Sequence, residues 1–281
     1  MTMTEEKKQI HILNLGAGVQ STALYLMSMD GDLDIVYDHA IFADTGDEPD
    51  SVMEHLEWMK SLKGGTPIII RSAGCLGDDI INGTNSTGQQ FASIPAFTFD
   101  PQTGSSGMLR RQCTSEYKIQ VVEKAIRRDV FGLSPHKRLP KDVELWQHMG
   151  FSYDEPGRAA RARGRFEMRG WSKVRFPLIE DEMTRHNCVV YLEGRVPHHV
   201  PRSACVFCPY KSNREWLSLK RSDPNGWERA VEVDEAMRHD RRGKRNAELY
   251  LHRSGRPLKD CKLDEDQLDL FKMECEGGCG L

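Results

Sequence analysis

No stretch of the 281-residue sequence approaches the roughly 18 consecutive apolar residues that a membrane-spanning helix needs. The first residues, Met1 to Lys8, are polar and include no apolar segment of the signal-peptide kind, so a cytoplasmic location and no membrane partner are expected. There is no internal repeat and no long low-complexity tract, which excludes a repeat array. The net charge is only −3, too small for the whole-molecule field of a nucleic-acid binder. Charge is nevertheless segregated. Residues 44–57 are acidic, residues 158–175 are basic, and a second basic run comprises Arg238, Arg241, Arg242, Lys244 and Arg245. Basic runs of this kind are commonly solvated faces, and they also suit a polynucleotide backbone. In a reducing compartment the eight cysteines point to metal or redox chemistry rather than disulfides.

Periodicity indicates an α/β protein. Residues 10–15 form a buried strand followed by a glycine turn and a helix over 21–29; residues 34–43 form a second strand; Val52, Leu56 and Met59 repeat at helical spacing; residues 67–71 form a third strand. Such alternation implies a Rossmann-like parallel sheet with right-handed crossovers. Residues 82–108, rich in Gly, Asn, Ser and Thr, read as an active-site loop or small hairpin, Ile119, Val122 and Ile126 as a helical stripe, and residues 143–149 as a fourth core strand. From residue 177 prolines recur and helices follow around Trp216 and Trp227. The expected division is a nucleotide-binding core over 1–176 and a smaller helical, cysteine-bearing region over 177–281.

Four features carry chemistry. The turn Gly16-Ala17-Gly18-Val19-Gln20-Ser21-Thr22 matches neither Walker A nor the dinucleotide fingerprint. Its glycines let backbone amides approach a phosphate, its helix directs a positive end at it, and Ser21 and Thr22 add hydroxyls. Cys205 and Cys208 form a Cys-x-x-Cys followed by Pro209, a spacing suited to one metal or cluster. Tetrahedral zinc would draw a fourth ligand from Cys188, Cys261, Cys275, Cys279 or a histidine; the pair His198–His199 alone is too weak a signal. Arg110 and Arg111 precede Cys113, with Lys118 following, and cations so placed stabilise a thiolate or hold phosphates. Cys275 and Cys279, set among glycines, suit a nucleophile or persulfide carrier, a last cluster ligand, or no role. The segment Gly150-Phe151-Ser152-Tyr153-Asp154-Glu155 reads equally as a strand-end turn and as a ligand or Mg²⁺ site at the sheet's carboxyl edge.

Together these residues resemble the sulfonucleotide (PAPS) reductase branch of the PP-loop, or adenine nucleotide alpha-hydrolase-like, superfamily. That branch also contains proteins supplying sulfur for DNA phosphorothioation. The family's Ser-Gly-Gly-x-Asp-Ser corresponds to Gly16–Ser21, its Asp-Thr-Gly to Asp44-Thr45-Gly46, its Arg-x-Cys-Cys-x-x-x-Lys to the segment ending at Lys118, its Pro-Leu to Pro177-Leu178, and its late Cys-x-x-Cys to Cys205 and Cys208. The terminal Glu-Cys-Gly is echoed in Glu274-Cys275 and in Cys279-Gly280. The run through Cys113 and the segment 150–155 are similar to a subgroup found in phage and actinobacterial genomes. The resemblance implies ATP, or PAPS or APS, held by Gly16, Ala17, Gly18, Gln20, Ser21 and Thr22, with Asp44, Thr45 and Gly46 near the ribose or Mg²⁺. It implies a [4Fe-4S] cluster on Cys113, Cys205 and Cys208, with zinc as the rival.

Two departures bear on the activity. Gln20 replaces an acidic residue, and Gln112 replaces the first of two adjacent cysteines, leaving three family-type ligands, so that the implied cluster would have one iron open, or filled by a tail cysteine or a substrate. The expectation is therefore an ATP-using sulfurtransferase: a substrate oxygen is adenylated with release of pyrophosphate, and sulfur then displaces AMP. Arg110, Arg111 and Lys118 would neutralise charge, Cys275 or Cys279 would carry sulfur, and a cysteine desulfurase would donate it. The acceptor would be tRNA, DNA or a small molecule, and a homodimer is compatible with this reading. The alternatives are a thiol-dependent PAPS or APS reductase and a zinc-stabilised nucleic-acid-binding module.

Overall fold

The computed structural model describes residues 7–84, 94–109, 111–239 and 247–263. Five strands form one wholly parallel sheet: β1 (Lys8–Leu15), β2 (His39–Asp44), β3 (Ile68–Ser72), β6 (Val143–Met149) and β7 (Lys173–Arg175), in the order β3-β2-β1-β6-β7. Helices cover both faces, as a parallel sheet requires. The fold is thus Rossmann-like α/β, as the alternating pattern implied. The chain leaves β1 toward β2 and β3, then returns to the other side of β1 through β6. This reversal between β1 and β6 is where ligands bind in open parallel sheets.

One face is closed by α1 (Val19–Asp30), α2 (Asp50–Ser61) and α7 (Arg185–Leu192), whose core includes Leu24, Leu56, Met59, Leu178 and Leu192. The other is closed by α4 (Gln120–Ala125) and α5 (Pro156–Arg169) over Ile12, Ile41, Val122 and Phe176. α4 is flanked by π-helical turns at Thr114–Ile119 and Ile126–Val130. A third core gathers Trp216 of α8 (Asn213–Ser222) and Val233 of α9 (Pro224–Ala236) with Leu76 of α3 (Leu76–Asn82) and Tyr117.

Residues 97–108 are the expected hairpin, β4 (Phe97–Phe99) with β5 (Ser106–Met108), but β4 also pairs with β8 (Glu248–Tyr250) to make a second, antiparallel sheet. A short helix, α6 (Pro177–Glu180), precedes α7, which packs on α1. Leu178, Cys188 and Leu192, beyond residue 176, share a core with Leu24 and Leu56. The second strand is shorter than the 34–43 segment read from the pattern. Ile35 and Tyr37 are buried and Val36 is 77% exposed, an alternation made by a loop plugging the core rather than by a strand. Asp38 there accepts a hydrogen bond from His11 N at 2.7 Å.

Candidate functional site

The glycine turn lies at the carboxyl end of β1, in the crevice between β1 and β6. Ala17 is buried with φ +57°, and Gly18 caps α1 with extended backbone. Ser21 Oγ accepts from Gly16 N at 3.3 Å and Gly18 N at 3.2 Å, so one hydroxyl holds the turn closed on itself. Gly150, just past β6, abuts this first helical turn: a Cβ there would stand 2.9 Å from Ser21 N. Thr22 points elsewhere. It is fully buried, and its Oγ1 lies 2.9 Å from His55 Nε2, whose Nδ1 lies 2.8 Å from His198 Nε2. The two hydroxyls expected to serve together therefore part, Ser21 to the turn and Thr22 to the α1–α2 interface.

The carboxylates after β6 form a structural turn. Glu155 is buried and receives Ser152 N, Ser152 Oγ, Gln20 Nε2 and the Arg158 guanidinium. Gln20 Oε1 in turn accepts from Arg185 Nη1 at 3.3 Å. Asp154 accepts from Arg185 N at 3.1 Å. Burial opposes ionisation of Asp154, but hydrogen bonds from Ser152 and the Arg185 backbone outweigh it and hold the carboxyl below its usual range. These donors already engage both groups, and the strand-end turn, one of the two readings of this segment, is what these contacts describe.

After β2, Asp44 Oδ1 accepts Gly46 N at 2.8 Å, and the chain turns through Gly46 at φ +79°. A Cβ at Gly46 would sit 2.9 Å from Cys75 Cα. We expect Gly46→Ala to cost about 2 kcal/mol from the left-handed conformation and the backbone clash, visible as a lower urea midpoint; an unchanged midpoint would contradict this packing. Thr45 is buried, and its Oγ1 donates to Glu48 Oε1 at 3.0 Å. The same oxygen lies 3.3 Å from Cys205 Sγ, so the thiol completes a Cys205–Thr45–Glu48 chain. Val206 N donates to Asp47 O at 2.8 Å, fastening the Cys-x-x-Cys loop to the loop after β2.

Cys113, Cys205 and Cys208 line one cavity of about 390 Å³, part of it open to solvent. Arg111, Thr114 and Lys118 stand at its wall, and Leu76, Ile94 and Phe207 make it apolar. The six cysteines among the described residues are all free thiols. Burial, then the charge of Glu48, push the Cys205 thiol well above its usual range, against the pull of Lys118. Lys118 is itself buried, 3.7 Å from Glu48 Oε1. It also lines a second cavity with Asn14, Gly16, Phe42 and Ala43, at the ends of β1 and β2.

Among the described residues, no three His, Cys, Asp or Glu side chains converge tightly enough to hold a single metal ion. Cys188 is no candidate ligand: it lies in the α1–α7 core, where burial pushes it up to about 12. Cys261 is tied to the carbonyls of Arg256 and Pro257. Arg110, Cys275, Cys279 and the basic residues Arg241, Arg242, Lys244 and Arg245 lie outside the described residues, whereas Arg238 is half-buried and ion-paired with Asp234. One cluster was not anticipated. Asp47 accepts Arg229 Nε at 2.9 Å, Gly77 N at 2.7 Å and the Cys75 thiol at 3.2 Å, and Arg229 also pairs with Asp78 and Glu232. Asp47 and Arg229 stand 182 positions apart, so no local pattern could have joined them. The chain matches none of the protein-family models, curated proteins or solved structures with which it was compared.

Proposed function

We propose that the protein is an adenine-nucleotide-dependent sulfur-transfer enzyme of the PP-loop type. The observation that carries this reading is Lys118, which lines both the cavity beside Gly16 and the cavity of the three cysteines. A cation shared by two adjoining cavities at a sheet's carboxyl edge can neutralise phosphates in one while favouring thiolates in the other.

In this reading Gly16, Gly18 and Ser21 receive the nucleotide phosphates. Ser21 Oγ already occupies the position against Gly16 N and Gly18 N that a phosphate oxygen could take. Asp44, Thr45 and Gly46 border the ribose. The substrate oxygen attacks the α-phosphorus of ATP, pyrophosphate leaves, and a sulfur nucleophile then displaces AMP. Cys113, Cys205 and Cys208 suit a [4Fe-4S] cluster better than zinc. Zinc gathers its donors about 2.3 Å from one point, whereas a cluster takes its thiolates on separate irons. The three thiols share one cavity, and the Cys205–Cys208 spacing followed by Pro209 supports the cluster reading. Such a cluster, when bound, would supply an iron able to hold sulfide. Thr45 orients Cys205, and Lys118 offsets the charge that accumulates there.

The test is ATP–pyrophosphate exchange on anaerobically purified protein, together with an iron and sulfide count. Exchange accompanied by about four irons per chain is expected. Lys118→Met should reduce exchange about 100-fold, the scale of losing one preorganised charge at a reacting phosphate. Absence of ATP binding overturns the proposal. Zinc without iron, with salt-dependent nucleic-acid binding, favours a zinc-stabilised binding module instead, and sulfite release from PAPS or APS favours a reductase.

A further inference from the structure

Low net charge conceals a strongly basic face. Residues 120–138 and 156–175 together hold twelve lysines and arginines against three acidic residues, a surplus of nine in a chain whose net charge is −3. The two stretches lie side by side on the same face of the sheet. Glu123 pairs with Arg169, Arg127 stacks over Trp171 at 5.1 Å, Arg127 Nη1 donates to Lys137 O, and both helices close one core. Arg158, Lys173 and Arg175 are held by acids of the protein. Lys124, Arg127, Arg128, Arg161, Arg163 and Arg165 form no ion pair with a described residue. The acids within the two stretches do little to offset them, since Asp129 is bound to Arg71 by two hydrogen bonds of 2.9 Å.

Position gives this face a direction. α5 starts at Glu155, which is hydrogen-bonded to Gln20 of the glycine turn. The helical segment beside it starts at Cys113 and passes through Lys118. Both elements of the basic face therefore begin at the candidate site and run away from it. α5 is 14 residues long and so spans about 21 Å.

We infer that this face docks RNA and delivers an unpaired nucleotide to the cavities at the sheet edge, an inference that rests on the proposed sulfur transfer for the role of the delivered group. The exposed arginines Arg128 and Arg161 supply phosphate contacts and planes on which bases stack. The cavities enclose about 240 and 390 Å³, part of it open to solvent, room for single groups rather than a paired helix, so a reacting base has to stand clear of its neighbours. RNA loops present bases in that state, whereas a DNA duplex must extrude one at the cost of unstacking.

The experiment measures fluorescence anisotropy of the full-length protein with a labelled RNA hairpin carrying an unpaired loop, a DNA duplex of the same length, and polyglutamate as competitor, at several salt concentrations. The Arg128→Glu/Arg161→Glu variant alters two exposed side chains that line neither cavity. It should weaken hairpin binding on the order of tenfold and flatten the salt slope by about one to two, with unchanged circular dichroism and unchanged binding of ATP alone. Equal hairpin affinity in variant and wild type, tighter binding of the duplex, or displacement by polyglutamate as effective as by RNA each overturns the inference. If hairpin binding follows the basic face while exchange is absent in the wild type, the docking surface stands and the sulfur-transfer reading falls.

Discussion

Asp234→Ala is expected to destabilise the protein by about 3–5 kcal/mol, the cost of leaving a buried charge and buried amides without partners. Asp234 is fully buried near the end of α9. Its Oδ1 accepts Leu251 N at 2.8 Å, its Oδ2 accepts Leu258 N at 2.9 Å, and it is ion-paired to Arg238. Arg238 in turn donates to Leu249 O at 2.8 Å and lies 3.9 Å from the centre of the Tyr250 ring. One carboxylate thus binds the helix to β8 and to the segment that follows. Alanine removes the anion, orphans two backbone amides and strands a guanidinium that is only 12% exposed. In a protein of this size the melting temperature should fall on the order of 10 °C. Asp234→Asn keeps one acceptor and should lose less. The double variant Asp234→Ala/Arg238→Met should also lose less than the sum of the single changes, because removing both charges leaves neither buried alone. Urea unfolding of the wild type, Asp234→Ala, Asp234→Asn, Arg238→Met and the double variant checks this, and a loss below about 1 kcal/mol in the alanine variant would show that water, not Asp234, satisfies these groups.

The same residue shows what local pattern can and cannot carry. Val143–Met149 was legible as a strand because its apolar positions lie between breakers, and the helix holding Val52, Leu56 and Met59 was legible because that stripe is fully buried. The cysteine centre was legible in part, since thiols are few and the Cys205–Cys208 spacing carries meaning alone. Nothing local linked Cys205 to Thr45, 160 positions away, although both belong to motifs that were noticed separately. The sequence marked residues 44–57 only as acidic, yet Asp47 among them is buried and organised by Arg229. A carboxylate's role depends on the cation that folding brings to it, and that cation arrives from another layer of the fold. β8 and its pairing with β4 escaped notice for a related reason: a strand of three residues is too short for a period, and only its pairing defines it.

Acidification from pH 7.5 to 5.5 should remove about 3–4 kcal/mol of stability through three buried histidines, at up to 1.36 kcal/mol per group per pH unit. Burial lowers His148 from a usual value of 6.5 to about 3, with the charges of His11 and Arg175 adding to the effect. Burial, then His198, lowers His55 to about 4, and burial, then Arg253, lowers His252 to about 4. The unfolded chain takes up protons near pH 6.5 while the native protein still excludes them. The stabilisation is therefore fully present above about pH 7 and is lost progressively below 6.5, until the native groups titrate near 3–4. Each ring is fixed by a neighbour that suits neutral imidazole: His148 Nε2 lies 3.0 Å from His11 Nδ1, His55 Nε2 2.9 Å from Thr22 Oγ1, and His252 Nε2 3.0 Å from Asn213 Oδ1. Urea midpoints at pH 7.5, 6.5 and 5.5 read the slope directly. His148→Gln should lower stability at neutral pH yet reduce the slope by about one third, because one of the three native–unfolded proton differences disappears. A stability independent of pH across this interval would mean that the three rings take up protons in the native state and that their pockets admit charge. Because His55 touches Thr22 on the first turn of α1, acid should also loosen the glycine turn before the sheet unfolds. Amide exchange at Val19–Ser21 that rises at pH 5.5 ahead of exchange at Ile12–Asn14 would show that order of events.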